Sequence, residues 1–519
     1  MGRDAAVDYL ITGKLPAGAA APFEHADLPD LSADLSGDYR IQGPMLQYKL
    51  QELRAWWLDR MVRSDRPLEE KMTLFWHGLF CSGVREVRSV EAMGEQNQLF
   101  HREAIGNYKR LAADIIHDAA MIKYLNNDEN MKGRPNENLA RELMELFTMG
   151  EGNGYTEKDI PEVARALTGV TVDRFGETSQ FIAARHDDGP KTIFGKTGDF
   201  TPDDVPELIF ERQEPATYLA KRLWQFFGTP EPTDQDIAPV AEALRKGEWE
   251  LAPALRALFT SPAFYGDRCK FAIIKSPVEL EAMTLRLLEE PPQPRMLVAA
   301  TFSLRGMGEE LFQPPNVKGW PGEEHWITSA TLSTRYAIAS AASTGKLGQG
   351  VGNGMRGFGA GAPGARVAPT TQGSPGAQPA RPARLARLTQ PGPTTQPGPA
   401  KPDAEAAATN ARFARLRQML QEQAEQVQEE LAKMPPIPPA DSLVVPARLF
   451  AELGKEATPE QVVEAAAARF LQQPLAPAKK AALVEAMGTQ PVMLGESASD
   501  NRVRQMIGLL MSTSEYQVE

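Results

Sequence analysis

Apolar residues recur with helical spacing along most of residues 1–344. Leu46, Leu50, Leu53 and Trp57 stand at i, i+4, i+7 and i+11, which puts them on one face of a helix. Pro67 suits the first turn of the next helix, PLEEKMTLFWHGLF. Leu99, Ile105, Leu111, Ile115 and Ile116 keep the same phase through residues 97–124. In Arg134–Gly150, RPNENLARELMELFTMG, the apolar face is Leu139, Leu143, Leu146 and Phe147, and Gly150 stops the helix as a C′ glycine does. Thr156-x-x-Asp159 and Asp159-x-x-Glu162 both fit a capping box for the following helix. The second is favoured because it places Pro161 within the first turn. Further helices are predicted over 215–227, 237–246, 252–258 and 276–289.

Residues 170–195 break this pattern. VTV, QFIAAR and KTIFG read as short strands, and the five-residue loop His186-Asp187-Asp188-Gly189-Pro190 is expected to join the last two as a hairpin. Residues 345–402 are rich in Gly, Pro, Ala, Gln and Thr, and no Asp or Glu occurs from His325 to Pro402. Such a stretch cannot bury enough apolar surface to order itself, so it reads as a disordered basic linker, or as a basic arm for an acidic surface. Residues 403–433 form a polar, Ala- and Gln-rich helix, and a Pro-rich connector follows to 440. Helices return over 441–519, where Leu509–Gln517 (LLMSTSEYQ) echoes Leu258–Tyr265 (LFTSPAFY). The expected architecture is mainly α. A main helical domain (1–344) carries one small β-hairpin near 170–195, and a disordered insertion and polar helix (345–402, 403–440) separate it from a C-terminal helical segment (441–519) that packs back.

Composition adds limits. With 519 residues the chain is long enough for two or three folded units. The net charge of −12 repels phosphate backbones, so nucleic acid is not an expected partner. No run of about eighteen apolar residues is present, so no membrane-spanning helix is expected. The opening MGRDAAVDYLITGKL lacks the basic and apolar regions of a secretion signal. Cys81 and Cys269 are the two cysteines, and both read as buried thiols; a disulfide between them is the alternative.

Three clusters carry candidate chemistry. The start of the RPNEN helix concentrates Asn136, Glu137, Asn138, Arg141, Glu142 and Glu145. Glu137, Arg141 and Glu145 share a row at i+4 steps, beside Asn138 and Glu142; the row is either a solvated ion-paired face or the wall of a cleft. Just upstream, Asn126, Asp128, Asn130 and Glu137 occupy positions 1, 3, 5 and 12 of an EF-hand-like loop, which makes them candidate calcium ligands. Two departures stand against it: Asn at position 1, and Met131 where the loop needs glycine. The second cluster is His186, Asp187 and Asp188 with Lys191, where a histidine beside carboxylates offers a general base or metal ligand, or simply a polar turn. His77, among aromatics, reads as a hydrogen-bonded core histidine. The third is the rigid loop Gln313–Gly322 with Asn316 and Trp320, followed by Trp326, either a docking or sugar-stacking surface or a seal on the core.

Six segments in order, FWHGLF (75–80), PNENLARELMELFTMG (135–150), YTEKDIPEVARALTG (155–169), ARHDDGPKTIFG (184–195), KSPVEL (275–280) and QPPNVKGWPG (313–322), resemble a large bacterial family known as domain of unknown function family 1800. The resemblance covers roughly 1–340 and 441–519. It implies a mostly helical protein, often exported and often encoded near a partner resembling sulfatases and phosphatases, and it supplies no established activity or catalytic residues. Members usually open with a signal and an Arg-Ala-Gly-Phe-Gly-like helix that do not precede Met1 here, which leaves a start upstream of Met1 or a loss of export. The leading expectation is a non-enzymatic binding or assembly factor of the periplasm or cell envelope, acting with such a partner; a cytoplasmic location is the alternative. The runner-up is a metal-dependent hydrolase whose cleft combines Glu137, Asn138, Arg141, Glu142, His186 and Asp187.

Overall fold

The computed structural model describes residues 2–14, 44–289, 293–347 and 444–519, together with Gln418, Gln421, Glu422, Glu425 and Glu429. The chain divides into two compact units, Met1–Ile41 with Leu46–Val351 and Met434–Glu519, and Gln42–Met45 with Gly352–Lys433. In the second, the five described residues beyond 352 are helical and exposed, with Gln418 donating to Glu422 and Gln421 to Glu425, one turn on. Beyond Leu347, the linker over 345–402 and the polar helix over 403–440 otherwise lie outside the described residues.

The first unit begins with α1 (Arg3–Thr12), α2 (Pro44–Arg63, in this unit from Leu46 on), α3 (Pro67–Leu79), α4 (Val84–Val87), α5 (Val90–Arg102), α6 (Tyr108–Ile116) and α7 (Ala119–Tyr124). Of the apolar stripe of α2, Leu50, Leu53 and Trp57 are buried, Trp57 completely, and Leu46 is half-buried. Helix α3 starts with Pro67 at its first turn and buries Met72, Phe75, Trp76 and Leu79 in a core shared with α5 and α6. The Trp76 indole N–H donates to the Ala104 carbonyl at 3.2 Å, and its ring stacks on Tyr108. Asn107 caps α6 by accepting the Arg110 N–H, which satisfies a donor the helix cannot.

Next come α8 (Asn138–Glu142), widening into a π turn over Leu143–Thr148, and α9 (Asp159–Ala166). Pro161 does lie in the first turn of α9, but neither predicted capping box forms: the helix has no side-chain cap, and Asp159 faces back to accept the Thr156 N–H and hydroxyl while its own N–H goes to the Thr156 backbone carbonyl. Four short strands follow: β1 (Val170–Val172), β2 (Ser179–Phe181), β3 (Lys191–Ile193) and β4 (Lys196–Gly198). β1, β2 and β3 fall within or beside the three predicted strands, but Ala183–Arg185 is a 3-10 turn and not strand, β4 lies past the predicted region, and the pairing differs. β1 pairs with β2 and β3 with β4, so there are two hairpins here, and HDDGP is not a hairpin turn. Phe194 and Gly195 both take positive φ (49° and 79°), the two-residue geometry whose twist suits a hairpin, and that turn folds KTI onto KTG.

Helices α10 (Asp204–Phe210), α11 (Glu214–Phe227), α12 (Asp234–Lys246) and α13 (Leu251–Thr260) complete this core, α11 packing on α12 and α12 on α13. A further layer holds α14 (Pro277–Leu287), α15 (Pro294–Met307), α16 (Ser329–Ser343), α17 (Pro446–Leu449), α18 (Pro459–Phe470), α19 (Pro477–Met487), α20 (Ser497–Met511) and α21 (Ser514–Gln517). Strands β5 (Glu456–Ala457) and β6 (Val492–Met493) pair between these helices. The C-terminal segment packs back, as expected. α20 lies on α16, and Val518 bridges Ile274 antiparallel. The buried Arg335 donates to the Lys275 carbonyl (2.8 Å) and to Gln517 (3.0 Å), tying three distant stretches together. Among the described residues no helix is long and apolar enough to cross a membrane.

Candidate functional site

Helix α8 is started by Asn136, whose side-chain oxygen accepts the Asn138 N–H at 3.0 Å. Its register shifts at Leu143, where the Thr148 hydroxyl bonds the Leu143 carbonyl and the N–H groups of Met149 and Gly150 both reach Met144. A π turn rotates the residues after it relative to those before. Arg141 gathers Glu137 (3.2 Å), Glu145 (3.1 Å) and Glu157 (3.3 Å), so the predicted polar row is an ion-paired surface network. Glu142 feels that network without an ion pair of its own among the described residues. Burial raises its carboxyl above the usual range, Glu145 adds to the rise, and the Arg141 and Lys318 charges oppose it. The Asn138 side chain points outward, exposed.

The EF-hand-like loop is held by amide contacts. Asn130, buried, donates to the Ala164 carbonyl and to Asn127, and its side-chain oxygen accepts the Asn136 N–H. Asn136 in turn donates to the Asn126 carbonyl. Asp128 pairs with Lys123 at 2.7 Å, and Glu137 with Arg141. The candidate ligands are thus committed to protein partners, and a cation here would have to displace both ion pairs. Among the described residues no three His, Cys, Asp or Glu side chains gather where they could hold a metal ion. Asn127, which sequence reasoning passed over, joins the loop to β1 by donating to the Val170 carbonyl at 3.0 Å.

At the 186–191 segment the expected His–Asp partnership does not form. The His186 Nδ1 faces the Thr168 carbonyl at 2.9 Å, and the ring packs on Phe181. Asp187 instead chelates Arg165 through both oxygens, at 2.8 and 3.1 Å. Arg165 also holds Glu162, and Asp188 pairs with Lys132. Lys191 is buried and donates to the Gly189 carbonyl; burial lowers its pKa. The Lys132 N–H donates to the Arg185 carbonyl, so the segment does touch the RPNEN loop, yet the charges divide between Arg141 and Arg165. The hydrogen bonds from Arg165 hold the Asp187 carboxyl down at about 2. A depressed carboxyl adds stability above its unfolded value of 3.8 that is lost as pH falls through about 2. Asp187→Asn is therefore expected to lower stability by about 1–2 kcal/mol at pH 7, and to match the parent near pH 2 in urea titrations.

The third cluster builds a pocket. Gly319 has φ +79°, and a Cβ there would lie 2.6 Å from the Gly78 carbonyl oxygen and 3.1 Å from the Cys81 sulfur. Glycine therefore lets the 313–322 loop sit directly on the end of α3. Asn316 shapes that loop, its side chain accepting the Lys318 N–H and its carbonyl the Gly319 N–H. His77 lies beneath it, buried, accepting the Phe312 N–H on Nε2 at 3.1 Å and packed against Trp57 and Trp320. Burial, helped by the Arg54 charge, lowers its pKa to about 3, so it is neutral and an acceptor at any physiological pH. Cys81 and Cys269 are free thiols; burial pushes Cys81 up to about 12, with Arg222 pulling the other way.

Of the two tryptophans, Trp326 is buried and Trp320 half-buried at a pocket of about 270 Å³. Phe75 and Gly78 from α3, Ser276 and Glu279 at the start of α14, Trp320 and Arg222 from α11 line it. Ser276 caps α14, and its own N–H donates to Glu279 at 2.9 Å. Glu279 is held by Lys71 at 3.1 Å, which also holds the Glu519 side chain at 2.6 Å. FWHGLF, KSPVEL and QPPNVKGWPG lie far apart in the sequence and carry no sign that they meet, and nothing in the helical pattern of α11 distinguishes Arg222.

Neither the curated proteins nor the solved structures offer a match to this chain. One family model does, the one described as protein of unknown function (DUF1800), over residues 1–518. Since that span is essentially the whole sequence, the chain belongs to the DUF1800 family.

Proposed function

We propose that this chain is a non-enzymatic binding or assembly factor of the bacterial envelope, that it acts with a partner resembling sulfatases and phosphatases, and that it engages its ligand in the pocket beneath Trp320. One observation carries the reading: three segments of the family signature, far apart in sequence, wall the same pocket. Packing alone does not require signature residues to meet at an opening. Aromatic walls with a few placed polar groups are how proteins bury and orient a ligand. The groups that a metal-dependent hydrolase would use are occupied otherwise, Asp187 by Arg165 and Glu137 by Arg141. A binding protein asks nothing of them. The envelope and the hydrolase-like partner come from the family resemblance.

The test is calorimetry between the purified chain and the purified sulfatase- or phosphatase-like protein encoded beside it. Trp320→Ala should weaken binding at least about tenfold, because truncating an interfacial tryptophan typically removes about 2 kcal/mol or more. Circular dichroism should show the variant folded. Equal affinity of parent and variant would remove the pocket from the interaction.

A further inference from the structure

Among the charged groups around the pocket, Arg222 differs from the rest. Glu279 is neutralised by Lys71 and takes the Ser276 N–H. Glu309 is buried, accepts the Val278 N–H at 2.9 Å, and is raised by burial to about 7. Glu323 faces the Ile274 N–H, and burial raises it too. Arg222 has no hydrogen bond and no carboxylate within ion-pair distance among the described residues, and its Nε is buried without a partner. A buried donor left unmade costs about 1–3 kcal/mol, more when it is charged. Its neighbours do not compensate: Cys81 is a neutral thiol, and the Tyr108 and Tyr218 hydroxyls donate to the Phe147 and Leu146 carbonyls.

We infer that Arg222 is the anchor for a ligand carboxylate, and that the pocket takes an apolar or aromatic residue bearing a free carboxyl group. The inference rests on the pocket being the binding site, as proposed above. Three features select the ligand. The guanidinium is a planar fork that matches a carboxylate through two parallel bonds. Arg222 balances one negative charge, which is what a carboxylate carries, whereas a phosphate with about −1.5 to −2 would leave part of its charge uncompensated in the pocket. The volume of about 270 Å³ falls just below the roughly 300 Å³ at which drug-sized pockets begin, so the space suits one residue. Phe75, Phe226 and Trp320 supply the apolar walls for its side chain.

The same chemistry has two sources, a free amino-acid derivative or the C-terminus of a polypeptide. The full chain would be titrated calorimetrically with N-acetyl-L-phenylalanine, its amide, and the peptides acetyl-Ala-Ala-Ala-Phe with a free or an amidated C-terminus. The acids should bind and the amides bind at least about tenfold more weakly. Arg222→Gln should weaken the acids about 10- to 100-fold, the range expected of a charge-assisted pair, and leave the amides unchanged. Arg222→Lys should restore part of the loss. Tighter binding of the peptide acid assigns a chain terminus; equal binding of both acids assigns the free residue. If acids and amides bind alike, or if neither binds while Trp320→Ala still abolishes partner binding, the inference is overturned and the proposed binding site stands. If Trp320→Ala leaves partner binding intact, the site itself is lost.

Discussion

Replacing Lys71 with methionine is expected to destabilise the folded chain by about 2–4 kcal/mol, toward the low side of what is lost when one partner is removed from a fully buried ion pair, because Lys71 and both of its carboxylates are half-buried. The Lys71 ammonium sits 3.1 Å from Glu279 and 2.6 Å from Glu519, above the rings of Phe226 and Phe227. Burial alone would lower its pKa, but the two carboxylates outweigh it and hold the ammonium above its ordinary value. Methionine keeps the volume and the ring contacts and loses the charge. Glu279 and Glu519 would then face each other uncompensated, and Glu519 is already raised by burial and by Glu279. Their folded pKa values would climb above the unfolded ones. Stability carried by a raised carboxyl is present at low pH and is lost as pH rises, so the deficit should be larger at pH 8 than at pH 5. Urea unfolding at both pH values measures it. Lys71→Met with Glu279→Gln should recover part of the loss by removing one stranded charge. A deficit below about 1 kcal/mol at pH 8 would mean that water, not Lys71, solvates these carboxylates.

That network was invisible in the sequence, for a physical reason. Periodicity sorts residues into an apolar face and a polar one, and it finds buried apolar positions well: Leu50, Leu53 and Trp57 on α2, Leu139 on α8, and Leu143 and Phe147 in the π turn are buried, while Leu46 and Leu146 on the same two faces are half-buried. It assigns charged residues to solvent. Lys191, Lys275, Glu281 and Arg335 are buried because partners distant in sequence satisfy them, as Tyr516 does for Lys275 and Gln517 for Arg335. The strand pairing was missed for a related reason. HDDGP has the composition of a turn, yet Asp187 is spent on Arg165, and the hairpin reverses at Phe194 and Gly195, where a bulky residue accepts positive φ. The π turn in RPNENLARELMELF leaves no compositional mark. The motifs FWHGLF, KSPVEL and QPPNVKGWPG were each legible, but that they share a pocket depends on how α3, α11 and α14 pack. Arg222 carries no local signal, because an arginine without a partner looks in sequence like any surface arginine.

Glu281→Gln is expected to remove most of a pH-dependent loss of stability between about pH 4.5 and pH 8. Glu281 is 1% exposed on α14 and has no cationic partner among the described residues; burial raises its carboxyl from 4.5 to about 8. The geometry suits the protonated acid. The Ser303 hydroxyl lies 2.5 Å from the Ala300 carbonyl and 2.8 Å from a Glu281 oxygen, and it has one proton to give. If it donates to Ala300, Glu281 must supply the other proton, which a carboxylic acid can do. Over this window the unfolded chain releases a proton that the folded chain keeps, so stability falls as pH rises and the loss is complete only above the folded pKa. At about 1.4 kcal/mol per pH unit the full effect is on the order of 3–5 kcal/mol. Glutamine keeps the shape and a donor for the Ser303 oxygen but cannot ionise. Urea unfolding at pH 5 and pH 9 should give variant and parent similar stabilities at the lower pH, and a variant more stable by about 3 kcal/mol or more at the higher. Glu309, raised to about 7, adds a slope of its own that both proteins share, so the difference between the two profiles isolates Glu281. Parallel profiles would show that Glu281 is ionised in the folded chain at neutral pH, with the Ser303 hydroxyl turned toward it and away from Ala300.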